Sequence, residues 1–447
     1  MQAKKYTKTQ AGLILQFGLV VFSSLVFWIP RDNYILLLLD IGILAFFYQQ
    51  IWKQKLSVSP IMYGLIFCSA LLAPTNLSQD VYRFIWDGKL ILNGYNPHDF
   101  RPKELINQMG FSSGNWRELY RGMGPLSQEN YSCYPFVTQI YSIFSAFIPV
   151  VWIQVLVMKV LFIVTFVMTI QSTRKLLEFL KLPKHYLHLF WLNPLVLIEG
   201  LGNLHFEWVM LCFVASGIYF LTQINYLNAS IFITLAIQAK LIPFLMLPFF
   251  VRNLGWKKSI FFGLSVVVLF FISSMIFIHP SNLGNFLESI KLYYGRFEFN
   301  SPIFAFYLDY GFWKYGFHPI GSYARRLAFY GFLALLTFCF YRLKQNEDWK
   351  VFFSRMAWAT TIYYFFATTI HPWYLIFPLF FGILSQNKLT IYWSFLVFLS
   401  YLFYDLKLKE MYDWIRIVEY ALLLIFSFSF LKSEWRNFKI NYFSTSN

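Results

Sequence analysis

The sequence predicts an all-α integral membrane protein, a single polytopic bundle over residues 1–447 with about 12–14 transmembrane helices. Three observations point there. Charged residues make up 13% of the chain and hydrophobic ones 58%, whereas a soluble domain carries about 25% charged residues. Apolar runs of roughly 20 residues, shorter where a helix is buried or broken, recur along the whole length. Basic residues sit in short clusters between those runs, as in cytoplasmic loops under the positive-inside bias. The net charge of +16 therefore does not indicate a nucleic-acid partner, which would call for one basic face.

The first run, 11–29, follows MQAKKYTKTQ, a basic segment like the start of a signal peptide. No small-residue cleavage site follows, so a retained first helix is expected. Runs 33–51 and 60–74 come next. Lys4, Lys5 and Lys8 place the N-terminus inside, Lys53 and Lys55 return the chain there, and the third run exits. Residues 75–132 then form a large first external loop. Region 134–172 crosses once net if 134–149 is a short re-entrant or surface-lying helix starting at Pro135. Runs 186–200, 206–222, 226–238, 241–251 and 259–279 lead to a second external segment, 280–321. Within AIQAKLIPF, Lys240 and Pro243 interrupt the apolar pattern, so 226–251 reads as a broken hairpin. Runs 322–341, 351–369, 373–385, 390–404 and 412–431 complete the bundle. With this path the clusters around Arg174, Arg252, Arg342 and Lys432 all fall inside, and the C-terminus is cytoplasmic. No internal repeat or low-complexity linker divides the chain. Three of the four cysteines lie in apolar runs, at spacings that suggest neither a disulfide framework nor a metal site.

That path gathers the polar residues of the apolar runs on the external side, where their cost marks function. In DVYRFIWDGKLIL, helical spacing puts Asp80, Arg83 and Asp87 on one stripe, with Val81, Phe84, Ile85 and Leu92 mostly on the other side. Ser78 is a candidate cap, and NGYNP ends the helix. The plain alternative is a surface helix with a weak ion pair. In LNPLVLIEGLGNLHFEW, Asn193-Pro194 breaks a span, and Glu199, Asn203, His205 and Glu207 crowd the connection that follows. A capped hairpin turn is the plain alternative. Lys240 is either a snorkelling side chain or a cation at a half-helix end, suited to phosphate. Arg296, Glu298 and Asn300 sit among aromatics in YYGRFEFNSPIF, and His371, Trp373 and Tyr374 mark a helix boundary. Both groups have an interfacial aromatic belt as their alternative. There is no P-loop, dinucleotide loop or HExxH motif, so an enzyme of this kind would draw its energy from the substrate.

The order of these motifs resembles the GT-C glycosyltransferases, in their bacterial mannosyltransferase-like branch. The resemblance rests first on DVYRFIWDGKLILNGYNP, with Asp80, Arg83, Phe84, Trp86, Asp87, Gly88, Gly94, Asn96 and Pro97 in the positions of the branch signature. YPFVTQIYSIF, NPLVLIEGLGNLHFEW, AIQAKLIPFLMLP, RFEFNSP and HPWYLIFP follow in the family's order over about residues 60–380. The departures are Phe136 for a second proline, Glu207-Trp208 for an Asn/Asp-rich continuation, and Glu298 for a tryptophan. The resemblance implies an inverting transfer, often of mannose, from a polyprenyl-phosphate donor to a glycan, lipid or protein hydroxyl. The expected place is the periplasmic face of a bacterial inner membrane, among membrane lipids. Asp80 would be the general base. Lys240, Arg296 or His371 would stabilise the leaving phosphate, and Arg83 would orient Asp80 or touch the phosphate. Asp87 with Asn96 would shape the sugar site, and His205, Glu207, Asn300, Trp373 and Tyr374 would contribute substrate contacts. No cofactor is required; some relatives in the superfamily use a divalent metal, which nothing in this sequence demands. A transporter or flippase of an amphiphilic substrate is the competing reading, and it would spread ionisable groups toward both faces.

Overall fold

The computed structural model describes residues 8–112, 114–295 and 297–443. It is 76% helical, with no strand among the described residues, as the apolar runs require in a membrane protein. The chain divides into two compact units, Met1–Tyr293 and Tyr294–Asn447.

In the first unit, α1 (Lys8–Val26) and α2 (Tyr34–Gln54) form a helical hairpin. Helix α3 (Pro60–Leu72) starts on Ser59, whose hydroxyl accepts the Met62 N–H at 3.4 Å. At 1.5 Å per residue its 13 residues cover about 20 Å, short of the ~30 Å apolar core of a bilayer. Its last carbonyls therefore need partners within the protein. Lys159, buried on α9 (Val151–Phe179), donates its ammonium to Ala70 O at 2.6 Å and Ala73 O at 2.5 Å. A charge and a helix end, each costly in an apolar setting, satisfy one another.

The segment between α3 and α9 holds α4 (Asp80–Leu92), three short helices α5 (Pro102–Leu105), α6 (Asn115–Gly122) and α7 (Gly124–Glu129), and α8 (Phe136–Ala146). Helix α8 starts after Pro135, where the sequence places it. Gly88 lets α4 lie directly on α8. A Cβ there would strike the Ser142 carbonyl and the Ile143 nitrogen, which are backbone and cannot swing away.

Helix α10 (His185–Trp191) stops before Asn193-Pro194. A π-helical turn, Val196–Gly202, then meets α11 (Glu207–Thr222) at a bend of 105°. Twelve of the sixteen residues of α11 are buried, as suits a helix apolar all round within a bundle. Helix α12 (Tyr226–Ala239) ends at Lys240, whose backbone is extended, and a 3-10 segment, Ile242–Phe250, follows. This is the break expected in AIQAKLIPF. Gln238 fixes it: its side chain accepts from Phe136 N at 3.0 Å and donates to Phe270 O at 2.9 Å, while Thr138 Oγ1 donates to Ala239 O at 3.2 Å. Helices α13 (Val251–Leu254), α14 (Trp256–Ser274) and α15 (Leu283–Gly295) close the unit. Phe261 and Phe271 of α14 face outward, as on a lipid-contacting helix.

The second unit comprises α16 (Phe304–Tyr315), α17 (Ile320–Phe340), α18 (Trp349–Phe365), α19 (Ile376–Ser385), α20 (Lys388–Leu396) and α21 (Tyr412–Phe443), with 3-10 turns before α19 and after α20. Among the described residues, five helices are long and apolar enough to cross a membrane: Tyr34–Gln54, Val151–Phe179, Trp256–Ser274, Ile320–Phe340 and Leu406–Glu434. The π-turn and α11 together make a bent sixth. Runs 11–29, 60–74, 226–238, 241–251, 373–385 and 390–404 appear as shorter apolar helices, run 351–369 as the 17-residue α18, and run 186–200 as the seven-residue α10 leading into the π-turn. Prolines, Asn-Pro steps and buried polar side chains interrupt them, which a count based on hydropathy alone does not register.

Candidate active site

Asp80 is the first residue of α4, and its backbone N–H donates to Ser78 Oγ at 3.2 Å. This is a serine turn just ahead of the helix: the N-cap position is Gln79, which makes no side-chain cap, so Ser78 does not cap α4 as its place in the sequence suggested. At this end the helix dipole favours a carboxylate. The preceding turn is tied to the π-helical segment, because Leu77 N donates to Asn203 Oδ1 at 3.0 Å while Asn203 Nδ2 donates to Ile198 O at 2.8 Å.

Around Asp80 the first unit assembles an ionic cluster. His205 Nδ1 lies 3.7 Å from Asp80 Oδ2, and His205 Nε2 lies 3.4 Å from Glu199 Oε2. Lys240 Nζ lies 2.9 Å from Glu207 Oε1. Glu199, His205 and Glu207 are buried, whereas Asp80 keeps 33% and Lys240 30% of the side-chain surface accessible. Each residue is delivered by a local irregularity: the serine turn before α4, the π-turn, the bend into α11 and the broken end of α12. Burial pushes the Asp80 carboxyl above the usual carboxylate range; Glu207 pushes the same way, and Lys240 and Arg31 partly offset it. The arrangement suits a base that holds its proton more readily than a surface aspartate does.

Arg83, Asp87 and Asn96 do not join this cluster. Arg83 Nε pairs with Asp87 Oδ1 at 2.7 Å, with both side chains almost fully buried. Arg83 Nη1 also donates to the carbonyls of Ser127 at 2.5 Å and Asn130 at 2.8 Å, and Ser132 Oγ donates to Asp87 Oδ2 at 2.6 Å. The stripe shared by Asp80, Arg83 and Asp87 therefore faces protein along most of its length. Arg83 holds the loop down rather than orienting Asp80. Asn96 Nδ2 donates to Phe277 O at 2.6 Å and its Oδ1 accepts from His98 N at 3.0 Å, so Asn96 shapes a turn.

In the second unit, described by itself, His371 stacks on Trp373 with ring centroids 4.4 Å apart and leans on Phe299 at 4.5 Å, with Tyr374 edge-on at 5.4 Å. An isolated parallel bridge between Phe299 and Thr369 joins the two predicted motifs of this unit. Asn300 has φ of 49° and donates from Nδ2 to Glu419 Oε2 at 3.1 Å, and Trp393 Nε1 donates to Glu419 Oε1 at 3.2 Å. Arg296 lies outside the described residues.

Sequence reasoning overlooked Arg31, Lys159, Gln238 and Glu419. Arg31 carried a usable signal: it stands in the connection between the first two runs, opposite the side to which the positive-inside clusters were assigned. Among the described residues, no group of three or more His, Cys, Asp and Glu side chains could hold a metal ion.

Residues 45–255, just under half of the chain, match the family model of the alpha-(1->6)-mannopyranosyltransferase N-terminal domain. The matched segment contains Asp80, Glu199, His205, Glu207 and Lys240. No curated protein and no solved structure matches the chain. The family match supports a glycosyltransferase of the mannosyltransferase-like GT-C branch, and the apolar helices fit an integral membrane protein.

Proposed function

We propose that this mannosyltransferase-like chain transfers mannose from a polyprenyl-phosphate donor to an acceptor hydroxyl, with inversion, on the external face of a bacterial inner membrane. The observation that carries the proposal is Asp80: a partly accessible carboxylate at a helix start, ringed by His205, Glu207 and Lys240, within the segment that matches the mannosyltransferase domain.

In the proposed step the Asp80 carboxylate takes the proton of the acceptor hydroxyl as that oxygen attacks the anomeric carbon. The bond from that carbon to the phosphate oxygen breaks, and the lipid phosphate leaves with the electron pair. The proton on Asp80 then passes to water. Charge develops on the leaving phosphate, where a preorganised cation contributes most. Lys240 at the end of the broken helix suits that role, with its pairing to Glu207 exchanged for the phosphate. Substrate contacts for His371, Trp373, Tyr374, Asn300 and Arg296 are proposed as the resemblance implies them. The acceptor is proposed to be a glycan whose 6-hydroxyl is free, after the linkage in the family's description.

Inversion that ends in an alpha linkage requires a donor of beta configuration. The test is to give the reconstituted protein beta-linked and alpha-linked polyprenyl-phosphate mannose and nucleotide-linked mannose in turn, and to determine the product's anomeric configuration by NMR. The proposal expects product from the beta-linked lipid donor alone, in alpha configuration. Transfer from the nucleotide sugar, or a product that retains the donor's configuration, would overturn it. Movement of the lipid donor across proteoliposomes without any sugar transfer would favour a flippase.

A further inference from the structure

We infer that Glu199 is a positioning residue for Asp80: it holds the His205 ring doubly protonated, with Nδ1 turned to Asp80, so that the base stays ionised. The inference rests on the role assigned to Asp80 above. The geometry is a carboxylate–imidazole–carboxylate chain, 3.4 Å from Glu199 to Nε2 and 3.7 Å from Nδ1 to Asp80, running from a buried residue to a partly accessible one.

The backbone sets this chain with some care. Glu199 sits in the π-helical turn, a form that recurs at functional sites because it redirects one side chain. Leu204, next to His205, has φ of 60°, a left-handed conformation that costs energy for a residue with a Cβ. The same turn closes on itself, with the His205 N–H donating to Glu199 O at 3.1 Å. A simple connection between two helices would need none of these features.

Charge balance points the same way. The charged and titratable groups acting at Asp80 are Lys240, Glu207 and Arg31, with His205 beside it and the Cys133 thiol nearby. Lys240 is already paired with Glu207. With a neutral ring, Asp80, Glu199 and Glu207 would set three carboxylates against two cations. A proton on the ring evens the count, and each ring nitrogen then faces one of the two flanking carboxylates at ion-pair distance. Removing the Glu199 charge releases the ring's proton, which takes away the cation facing Asp80 at Nδ1, leaves Lys240 and Arg31 alone to offset burial, and raises the pKa of Asp80.

The test compares wild type with Glu199→Gln, Glu199→Asp and His205→Asn by two readouts. One is the acidic limb of the transfer rate against pH. The other needs no donor: labelling of Asp80 by a water-soluble carbodiimide, whose nitrogen takes the carboxyl proton as the carboxyl oxygen adds to its central carbon, followed by peptide mass spectrometry across pH. Glu199→Gln is expected to move both midpoints up by about one pH unit, the size of effect an adjacent charge produces. His205→Asn should do the same, the double variant should add nothing, and Glu199→Asp should stay near wild type. A uniform loss of rate with unmoved midpoints, or additive shifts in the double variant, would overturn the inference. If Glu199→Gln does not accumulate, an unmoved labelling midpoint in His205→Asn overturns it. Shifted labelling in a protein that transfers no sugar would sink the transferase reading and leave the Glu199 assignment standing.

Discussion

Asp80 and Asp87 stand seven residues apart on one helix and meet opposite environments. Asp87 is buried against Arg83 and Ser132, whereas Asp80 keeps part of its side chain accessible beside His205. Breaking a buried ion pair from one side strands a charge, at about 3–5 kcal/mol. Asp87→Ala is therefore expected to destabilise the protein by that order in detergent unfolding, while Asp80→Asn leaves stability nearly unchanged. The pH profile follows from Asp80's environment. A base whose pKa is raised loses its active form as pH falls through that raised value, so the acidic limb of transfer should lie above the value near 4 of a free aspartate. A limb at or below that value would show that burial does not govern this carboxyl. The spacing of Asp80, Arg83 and Asp87 was legible in the sequence, but the choice of pairing was not. Helical geometry permits Arg83 to reach either acid; the carbonyls of Ser127 and Asn130, more than forty residues away, draw it toward Asp87.

At the scale of elements, the site exists because several helices end early. The break at Lys240 was readable, since a charge and a proline interrupt an apolar run. The turn around Glu199 was readable only as a crowd of polar residues, because a π-turn and a left-handed Leu204 have no composition of their own. Lys159 escaped notice inside a long apolar helix; its partners, the carbonyls ending α3, lie nearly ninety residues away in sequence. Lys159→Met should leave those two buried acceptors unmade, at about 1–3 kcal/mol for each, and lower the unfolding temperature. Gly88→Ala tests the seat of α4. Its methyl meets the backbone of α8, so α4 must shift, with a cost of about 1–3 kcal/mol for overpacking and a loss of transfer as Asp80 moves. Wild-type stability and transfer in Gly88→Ala would show that α4 is not held this way.

For the whole molecule, hydropathy and charge patterning were enough to identify an all-α membrane protein. They do not separate long helices from short or broken ones among the described residues, because both carry the same composition. The sidedness deduced from basic clusters is open to a direct check. In a cysteine-free background, Asp99→Cys and Lys184→Cys place single thiols at exposed positions in the first loop and in a basic cluster. An impermeant reagent added to intact cells should label position 99 and spare 184. Equal labelling of both would refute the proposed topology and, with it, an external active site.

The decisive measurement is sugar transfer by purified Asp80→Asn in proteoliposomes supplied with beta-linked polyprenyl-phosphate mannose and a mannoside acceptor. If Asp80 is the base, transfer falls about 100- to 10,000-fold while the protein stays monodisperse and unfolds at the wild-type temperature. Transfer within a few-fold of wild type would mean that another group takes the proton, and the account of this site would fail.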